Sequence, residues 1–162
     1  MKTSKALLTF DIISLMPEMF SAISDYGVTG RAFKEKIVNL NIWNPREFSM
    51  DLHKTVDDRI YGGGPGMLMM ANPLVEAIEA AKMRQSKLGI KNSKVIHMTP
   101  RGKSLSHDEV KRLLSCKGLV IISSRYEGID ERVNDWIDEE ISIGDYVLSG
   151  GELAAMTMMD CL

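Results

Sequence analysis

No apolar run in this sequence approaches the roughly 18 residues that a membrane-spanning helix requires, so none is predicted. Lys2 and Lys5 precede the apolar Ala6-Leu7-Leu8, but Asp11 interrupts the stretch and argues against a signal peptide. There are two cysteines, Cys116 and Cys161, with neither metal-binding nor redox spacing. Two free thiols suit a reducing compartment, and the expected location is the cytoplasm. His53, His97 and His107 lie far apart in sequence, so no histidine metal site is assigned. No Gly-x-Gly-x-x-Gly opens a helix after the first predicted strand, which removes the main mark of a nicotinamide-dependent oxidoreductase. Internal repeats and low-complexity stretches are missing too, and no nucleophile–base pair stands out.

What remains is ordinary in amount and uneven in arrangement. The 162 residues, 44% hydrophobic and 26% charged, are enough for one globular domain and rule out disorder. The net charge of −2 hides an asymmetry, because residues 61–125 hold eleven Lys/Arg against four Asp/Glu, and residues 126–162 hold one against ten. A basic middle beside an acidic end fits a nucleic-acid surface next to a site for something cationic. The plainer reading is that Lys82, Arg84, Lys87, Lys91 and Lys94 solvate one helix and its loop.

Ala6 to Ile13 reads as a buried strand, followed by Ser14-Leu-Met-Pro17-Glu18 opening a helix with proline in its first turn. Val38, Leu40 and Ile42 alternate with asparagines as a strand that Asn44-Pro45 ends. Asn72-Pro73 is read as a cap followed by proline at the first helical position, with Leu74, Val75, Ile78 and Ala81 as the apolar face. Lys94 to Met98 is a short strand, and Ser106 to Glu109 a capping box opening a helix through Leu114. Leu119 to Ile122 is a central strand, Ile129 to Trp136 helical, Ile141 to Ile143 a short strand, and Gly151 begins another helix. Such alternation predicts an α/β domain with a mostly parallel sheet, whose ligands sit beyond the carboxyl ends of its strands. Three segments follow strands: Thr99 to Gly102, Ser124 to Glu131, and Gly144 to Gly151. They are expected to converge on one crevice.

The last of these belongs to a glycine-punctuated loop, Ser142-Ile-Gly-Asp-Tyr-Val-Leu-Ser-Gly-Gly-Glu152, without lysine or arginine. Glycine lets main-chain groups approach a ligand closely, and phosphate is the usual reason. Here Glu139, Glu140, Asp145 and Glu152 would repel an anion. A neutral or cationic ligand fits better, with a flat part held by Ile143, Tyr146 and Leu148: a purine joined to a positive charge. A tight strand-to-helix turn is the bland alternative. In Tyr61-Gly-Gly-Gly-Pro-Gly66, four glycines in five positions cost entropy on ordering, which close approach to RNA or a partner subunit would offset. A flexible link explains it equally. Arg125-Tyr-Glu-Gly-Ile-Asp-Glu-Arg132 sets carboxylates directly after a strand. Asp130 and Glu131 suit a helix N-terminus, while Glu127 is better read as a site carboxylate. Asp57-Asp58 is weighed as a magnesium pair and read as a solvated loop.

These blocks, together with Asp25-Tyr-Gly-Val-Thr-Gly-Arg31 and Thr55-Val-Asp-Asp-Arg59, resemble the bacterial tRNA (guanine-N1)-methyltransferase family (TrmD) of the SPOUT superfamily. The resemblance runs in order over nearly the whole chain. It implies an α/β fold, a SPOUT-type Rossmann-like parallel sheet with a C-terminal deep trefoil knot, in an obligate homodimer with composite active sites. The general avoidance of knots would have pointed elsewhere. Residues 1–162 would be the S-adenosylmethionine-binding methyltransferase domain, without the family's C-terminal tRNA-binding domain. Carried over residue by residue, the cofactor pocket takes His97, Met98, Thr99, Pro100, Gly102, Ser124, Tyr126, Glu127, Gly128, Ile143, Gly144, Asp145, Tyr146, Val147, Leu148, Gly150, Gly151 and Ala154. Ser124 stands where glycine is usual in the family, and Ala154 where proline is. Arg59, Gly62, Gly63, Gly64 and Pro65 are expected to approach tRNA. Glu127 is the first choice for a supporting carboxylate, magnesium-linked or substrate-linked, with Asp145 and Glu152 behind it. The implied reaction moves a methyl group from S-adenosylmethionine to N1 of the guanosine 3′ of the anticodon. The resemblance puts the main base beyond Leu162, and the last helix has no C-terminal cap there, so residues 1–162 are expected to bind cofactor and dimerise but to turn over poorly. A non-catalytic RNA-binding α/β module is the alternative.

Overall fold

The structure is a computed structural model and describes residues 6–162, so Lys2 and Lys5 lie outside it. Five strands form one parallel sheet in the order β2-β1-β6-β5-β7: β1 Leu8–Ile13, β2 Val38–Trp43, β5 Ser93–Ser104, β6 Gly118–Ile122 and β7 Glu139–Ser142. The predicted α/β class with a mostly parallel sheet is what is found. β6, Gly-Leu-Val-Ile-Ile, is buried throughout between β1 and β5, as an uninterrupted apolar run should be.

Alternate residues feed two cores. Leu119 and Ile121 of β6 join Phe10, Ile12, Ile96 and Met98 on one face, covered by Phe20, Leu113, Ala155 and Met158. Val120 and Ile122 join Ile13 and Val95 on the other, beneath Leu74, Ala77, Ile78 and Ala81 of α3, Ala71–Lys87. The remaining helices are α1 Ser21–Ser24, α2 Gly27–Lys34, α4 His107–Leu113 and α5 Glu152–Cys161. Asp11 is a carboxylate in a buried strand. It is tolerated because it accepts from Trp43 Nε1 (2.7 Å), Gln85 Nε2 (2.9 Å) and Arg84 Nη1 (3.0 Å).

Several boundaries differ from the sequence reading. α3 begins at Ala71 rather than after Asn72; its N-cap is Met70, whose thioether makes no side-chain cap bond, and Met70 N–H donates to Val56 O (2.8 Å), which fixes the entry. Residues Glu131–Trp136 form a 3-10 turn rather than an α-helix. Residues Asp57–Arg59 and Met67–Met69 pair as an antiparallel hairpin, β3 and β4, where the sequence reading has Asp57-Asp58 in a solvated loop and assigns no strand to Met67–Met69. The capping box is half made: Ser106 Oγ accepts from Glu109 N–H (3.3 Å), but the Glu109 carboxylate turns to Lys103 and Arg112 instead.

The charge asymmetry resolves into ion pairs within the fold. Lys94 and Arg112 hold Glu139, Arg101 holds Glu140 at 3.1 Å, and Arg125 holds Glu152 at 3.1 Å. Arg84 goes to buried Asp11. Of the five cations assigned to solvating one helix, Arg84 and Lys94 are therefore fixed in pairs.

Candidate functional site

The segments after β5, β6 and β7 do converge. They surround one cavity of about 440 Å³, whose wall also takes Leu68 of β4. β5 is longer than expected. Its register jumps between Met98 and Lys103, both of which align with Ile141, so Thr99 to Gly102 form an excursion inside an extended strand. Pro100, without an N–H, suits a residue outside the ladder. Gly102 is not in the cavity wall: a Cβ there would meet the Glu140 and Ile141 backbone at 2.5 Å, so its glycine serves the close crossing of two main chains.

The second segment is tied to the hairpin. Glu127 N–H donates to Met67 O (3.0 Å), Met69 N–H to Gly128 O (2.9 Å) and Asp130 N–H to Met69 O (3.0 Å). Between these bonds Tyr126 is held at φ 62°, uncommon for a residue with a side chain. Its hydroxyl reaches Asp57 Oδ1 of β3 (3.3 Å), and partial burial pushes its pKa upward, keeping it a donor. A Cβ at Gly66 would lie 2.4 Å from Glu127 Cγ, so the last glycine of the exposed hairpin loop makes room for Glu127 at the cavity mouth. Gly62, Gly63 and Gly64 adopt positive φ beside exposed Arg59 and Pro65, and a Cβ on any of the three would meet nothing. Their wall-free setting is conformational, and they do not line the cavity.

The third segment supplies Ile143, Gly144, Tyr146, Val147, Leu148, Gly150, Gly151 and Ala154 to the wall. Gly144 is needed because the Tyr146 ring folds back over it, 2.2 Å from where a Cβ would stand. Gly151 lies against the Ser123–Ser124 backbone, and its N–H donates to Ser124 O (2.8 Å). Asp145 is exposed and outside the wall. Glu152 is buried beneath it, where Oε1 accepts from Ser14 Oγ (3.0 Å) and Arg125 Nε (3.1 Å). That makes Glu152 a tie between α5, β1 and the loop after β6 rather than a group facing ligand.

This placement corrects the electrostatic argument. Of the four acids expected to repel anions, Glu139, Glu140 and Glu152 are paired with cations, and Asp145 is outside the wall. The cavity's acidity comes instead from Glu127 and Glu131, both exposed and lining it, and Arg101 joins the rim. Leu68 and Ile141 line the cavity without having been expected from sequence, while Arg101, Ile129, Glu131 and Ser142 lie in the segments expected there but outside the residues carried over for the pocket. Leu68 follows from the hairpin pairing, for which periodicity over three residues gives no signal.

One side-chain constellation was also missed. His97, on the cavity floor and 3% exposed, has Nδ1 3.2 Å from Glu140 Oε1 and Nε2 3.0 Å from Ser124 Oγ. Burial lowers the pKa of His97, more than Glu140 raises it, so the ring is neutral. The three residues are 27 and 43 positions apart in pairs, and only the sheet joins them. Among the described residues no cluster of three or more His, Cys, Asp or Glu is arranged to hold a metal, and no helix is long and apolar enough to cross a membrane.

The wall suits an adenosyl ligand on this structure's own terms. Ile143 and Leu148 offer apolar contact, and Gly128, Gly144, Gly150 and Gly151 bring main chain into the wall. The profile of the family described as "tRNA (Guanine-1)-methyltransferase TrmD" matches residues 8–162. The chain is 53% identical over 154 residues to a tRNA (guanine-N(1)-)-methyltransferase of Nitrosomonas europaea, covering 94% of this chain and 57% of that protein. It is 56% identical over 156 residues to one of Idiomarina loihiensis, covering 96% and 60%. The crystal structure of tRNA (m1G37) methyltransferase from Aquifex aeolicus superposes with a TM-score of 0.84 at 36% identity, covering 95% of this chain and 67% of that one. The chain thus spans about six tenths of the length of these curated relatives.

Proposed function

Since the chain belongs to the TrmD family of tRNA (guanine-1)-methyltransferases, we propose that it forms the S-adenosylmethionine-binding part of an enzyme methylating N1 of guanosine 37, 3′ of the tRNA anticodon. The observation that carries this is the convergence of three strand-end segments on one glycine-lined cavity whose wall includes the exposed carboxylates of Glu127 and Glu131. When bound, the donor supplies a methyl group on a positively charged sulfur. The residues of this chain then have three tasks: to grip the adenosyl part, to steer the methyl toward the mouth, and to receive a guanine there.

Ile143, Leu148 and the bare main chain around Gly144, Gly150 and Gly151 hold the flat adenosyl part. Glu127 and Glu131, in no ion pair among the described residues, stabilise positive charge nearby. Guanine N1 carries a proton that must leave as the new bond forms, so a general base within hydrogen-bond reach of N1 is required, a role open to a carboxylate. Glu127 is assigned a supporting role in that transfer, braced by Gly66 and by its own N–H on Met67 O (3.0 Å). Arg59 and the loop Gly62 to Pro65, on the hairpin joined to Glu127, approach the tRNA backbone.

The knot and the homodimer belong to the same proposal. A strand residue has one neighbour on each edge, so the alignment of Ile141 with both Met98 and Lys103 supports β7 running between the two arms of β5. Gly102 lying on the Glu140–Ile141 backbone supports a crossing at that level. Exposed apolar Tyr26, Val28 and Leu153 are available to a twofold partner completing each site. A cytoplasmic location follows from the substrate, and magnesium is kept only as a candidate companion of the substrate carboxylate.

Calorimetry of the chain with S-adenosylmethionine, NAD and an anticodon stem-loop tests the reading. It requires binding of the first and not the second. Binding of the stem-loop alone would favour the non-catalytic RNA module. In the full-length protein, Glu127→Gln should lower turnover and Arg59→Ala tRNA affinity; unchanged values in both would remove those roles.

A further inference from the structure

We propose that Ser124 is a specificity-determining residue of the cavity. Held by a Glu140–His97–Ser124 chain of hydrogen bonds, it offers only acceptor lone pairs and selects an adenosyl ligand that directs an O–H or N–H group at it. The inference rests on the adenosyl reading of the site and deepens it.

The polarity of the chain follows from its ends. Glu140 Oε1 already accepts from Arg101 Nη2 (3.1 Å) and Nε (3.3 Å), and a carboxylate in that role has nothing to donate. The hydrogen between Glu140 and His97 therefore sits on Nδ1, at 3.2 Å. In a neutral imidazole the other nitrogen is then an acceptor. The 3.0 Å contact at Nε2 takes the Ser124 hydroxyl hydrogen. With its only hydrogen pointed at the floor, Ser124 Oγ faces the cavity with lone pairs alone. A free serine would rotate to suit either partner; this one cannot without breaking a buried bond.

Ser124 is half-buried in the cavity wall, immediately after β6, where Gly151 N–H fixes its carbonyl at 2.8 Å. Its backbone and its hydroxyl are thus both set before a ligand arrives. The charged groups acting on His97 are Glu140 from β7 and Arg101 from the β5 excursion; burial, with Arg101 on its side, outweighs Glu140 and favours the neutral ring. Protonation would reverse the port. Nε2–H would donate to Ser124 Oγ, the hydroxyl hydrogen would swing toward the cavity, and two donors would then face each other. Affinity should therefore fall as pH drops through the range where His97 gains its proton, below the ordinary value of about 6.5.

The test is calorimetric affinity of the chain for S-adenosylhomocysteine and for analogues each lacking one hydrogen donor: 2′-deoxy, 3′-deoxy, N6,N6-dimethyl and desamino. Wild type, Ser124→Ala and Ser124→Thr are compared from pH 7.5 to 5.5, with thermal unfolding as the fold control. Ser124→Ala should bind S-adenosylhomocysteine about three- to tenfold more weakly, the range of one neutral hydrogen bond. One analogue should lose affinity in wild type and not in Ser124→Ala. The wild-type fall at low pH should persist in Ser124→Thr and flatten in Ser124→Ala. Equal affinities and equal pH profiles in wild type and Ser124→Ala overturn the acceptor role while leaving the site reading intact. No binding of S-adenosylhomocysteine by wild type at any pH removes the site reading, and this inference with it.

Discussion

His97 and Gly66 show how single residues carry more than their own contacts. The neutral, buried His97 links protonation to stability. Its folded pKa is depressed by burial, so the folded state binds its proton less readily than the unfolded chain does. The contribution is full above the unfolded value of about 6.5 and is lost as pH falls toward the lower folded value. Denaturant unfolding at pH 7 and pH 5 should therefore show wild type losing more stability than His97→Gln over the same interval; equal losses would count against a neutral buried ring. Gly66 sits at φ 99° against Glu127. Alanine there should cost about 1–2 kcal/mol from the backbone alone. It should also push Glu127 aside, lowering turnover of the full-length protein about tenfold or more if that carboxylate assists proton transfer. Retained turnover with the expected loss of stability would separate the loop's structural role from the catalytic one.

At the scale of elements, β5 is where reading and structure part most instructively. Lys94 to Met98 is apolar enough to be legible as a strand, and the excursion Thr99 to Gly102 reads as a loop because Pro-x-Gly ends regular structure. That the strand resumes at Lys103 and meets Ile141 a second time depends on β7, some forty residues later, and no local pattern carries it. The hairpin β3–β4 was missed for the same reason, since three residues per strand are too few for a period. By contrast β6, the two-face alternation and the ends of β2 were legible, because burial on both faces or a proline stop is written locally. The cavity's backbone outline was legible through its glycines and strand ends, whereas the Glu140–His97–Ser124 chain was not. Gly102 gives the element-scale prediction. Its neighbours at 2.5 Å are backbone atoms of β7, which cannot turn aside as a side chain can. Gly102→Ala should destabilise by roughly 2 kcal/mol or more, in the range of overpacking, measurable by urea unfolding. A change under half a kilocalorie would mean that the two strands do not cross so closely.

Taken whole, the molecule joins a basic middle to an acidic end, and two of the resulting pairs fall where the cavity is assembled. Arg101–Glu140 closes the β5 excursion over β7, and Arg125–Glu152 fastens α5 under the loop after β6. The cavity is thus built where chain segments distant in sequence are fastened, and a ligand filling it should stiffen the same fastenings. Arg125 is 22% exposed and Glu152 1%, so Arg125→Ala would strand a buried carboxylate at a cost of about 3 kcal/mol. A ligand that binds only the folded chain adds stability by mass action, about 2.7 kcal/mol at a hundred times its dissociation constant. S-adenosylhomocysteine at that excess should therefore nearly offset Arg125→Ala, if the variant keeps its cavity, and raise the wild-type midpoint by the corresponding amount. NAD at equal concentration should raise neither. Paired urea titrations with and without each ligand decide it: an Arg125→Ala chain that ligand fails to rescue, beside a wild type that it does stabilise, would show that this ion pair shapes the cavity as well as holding it together.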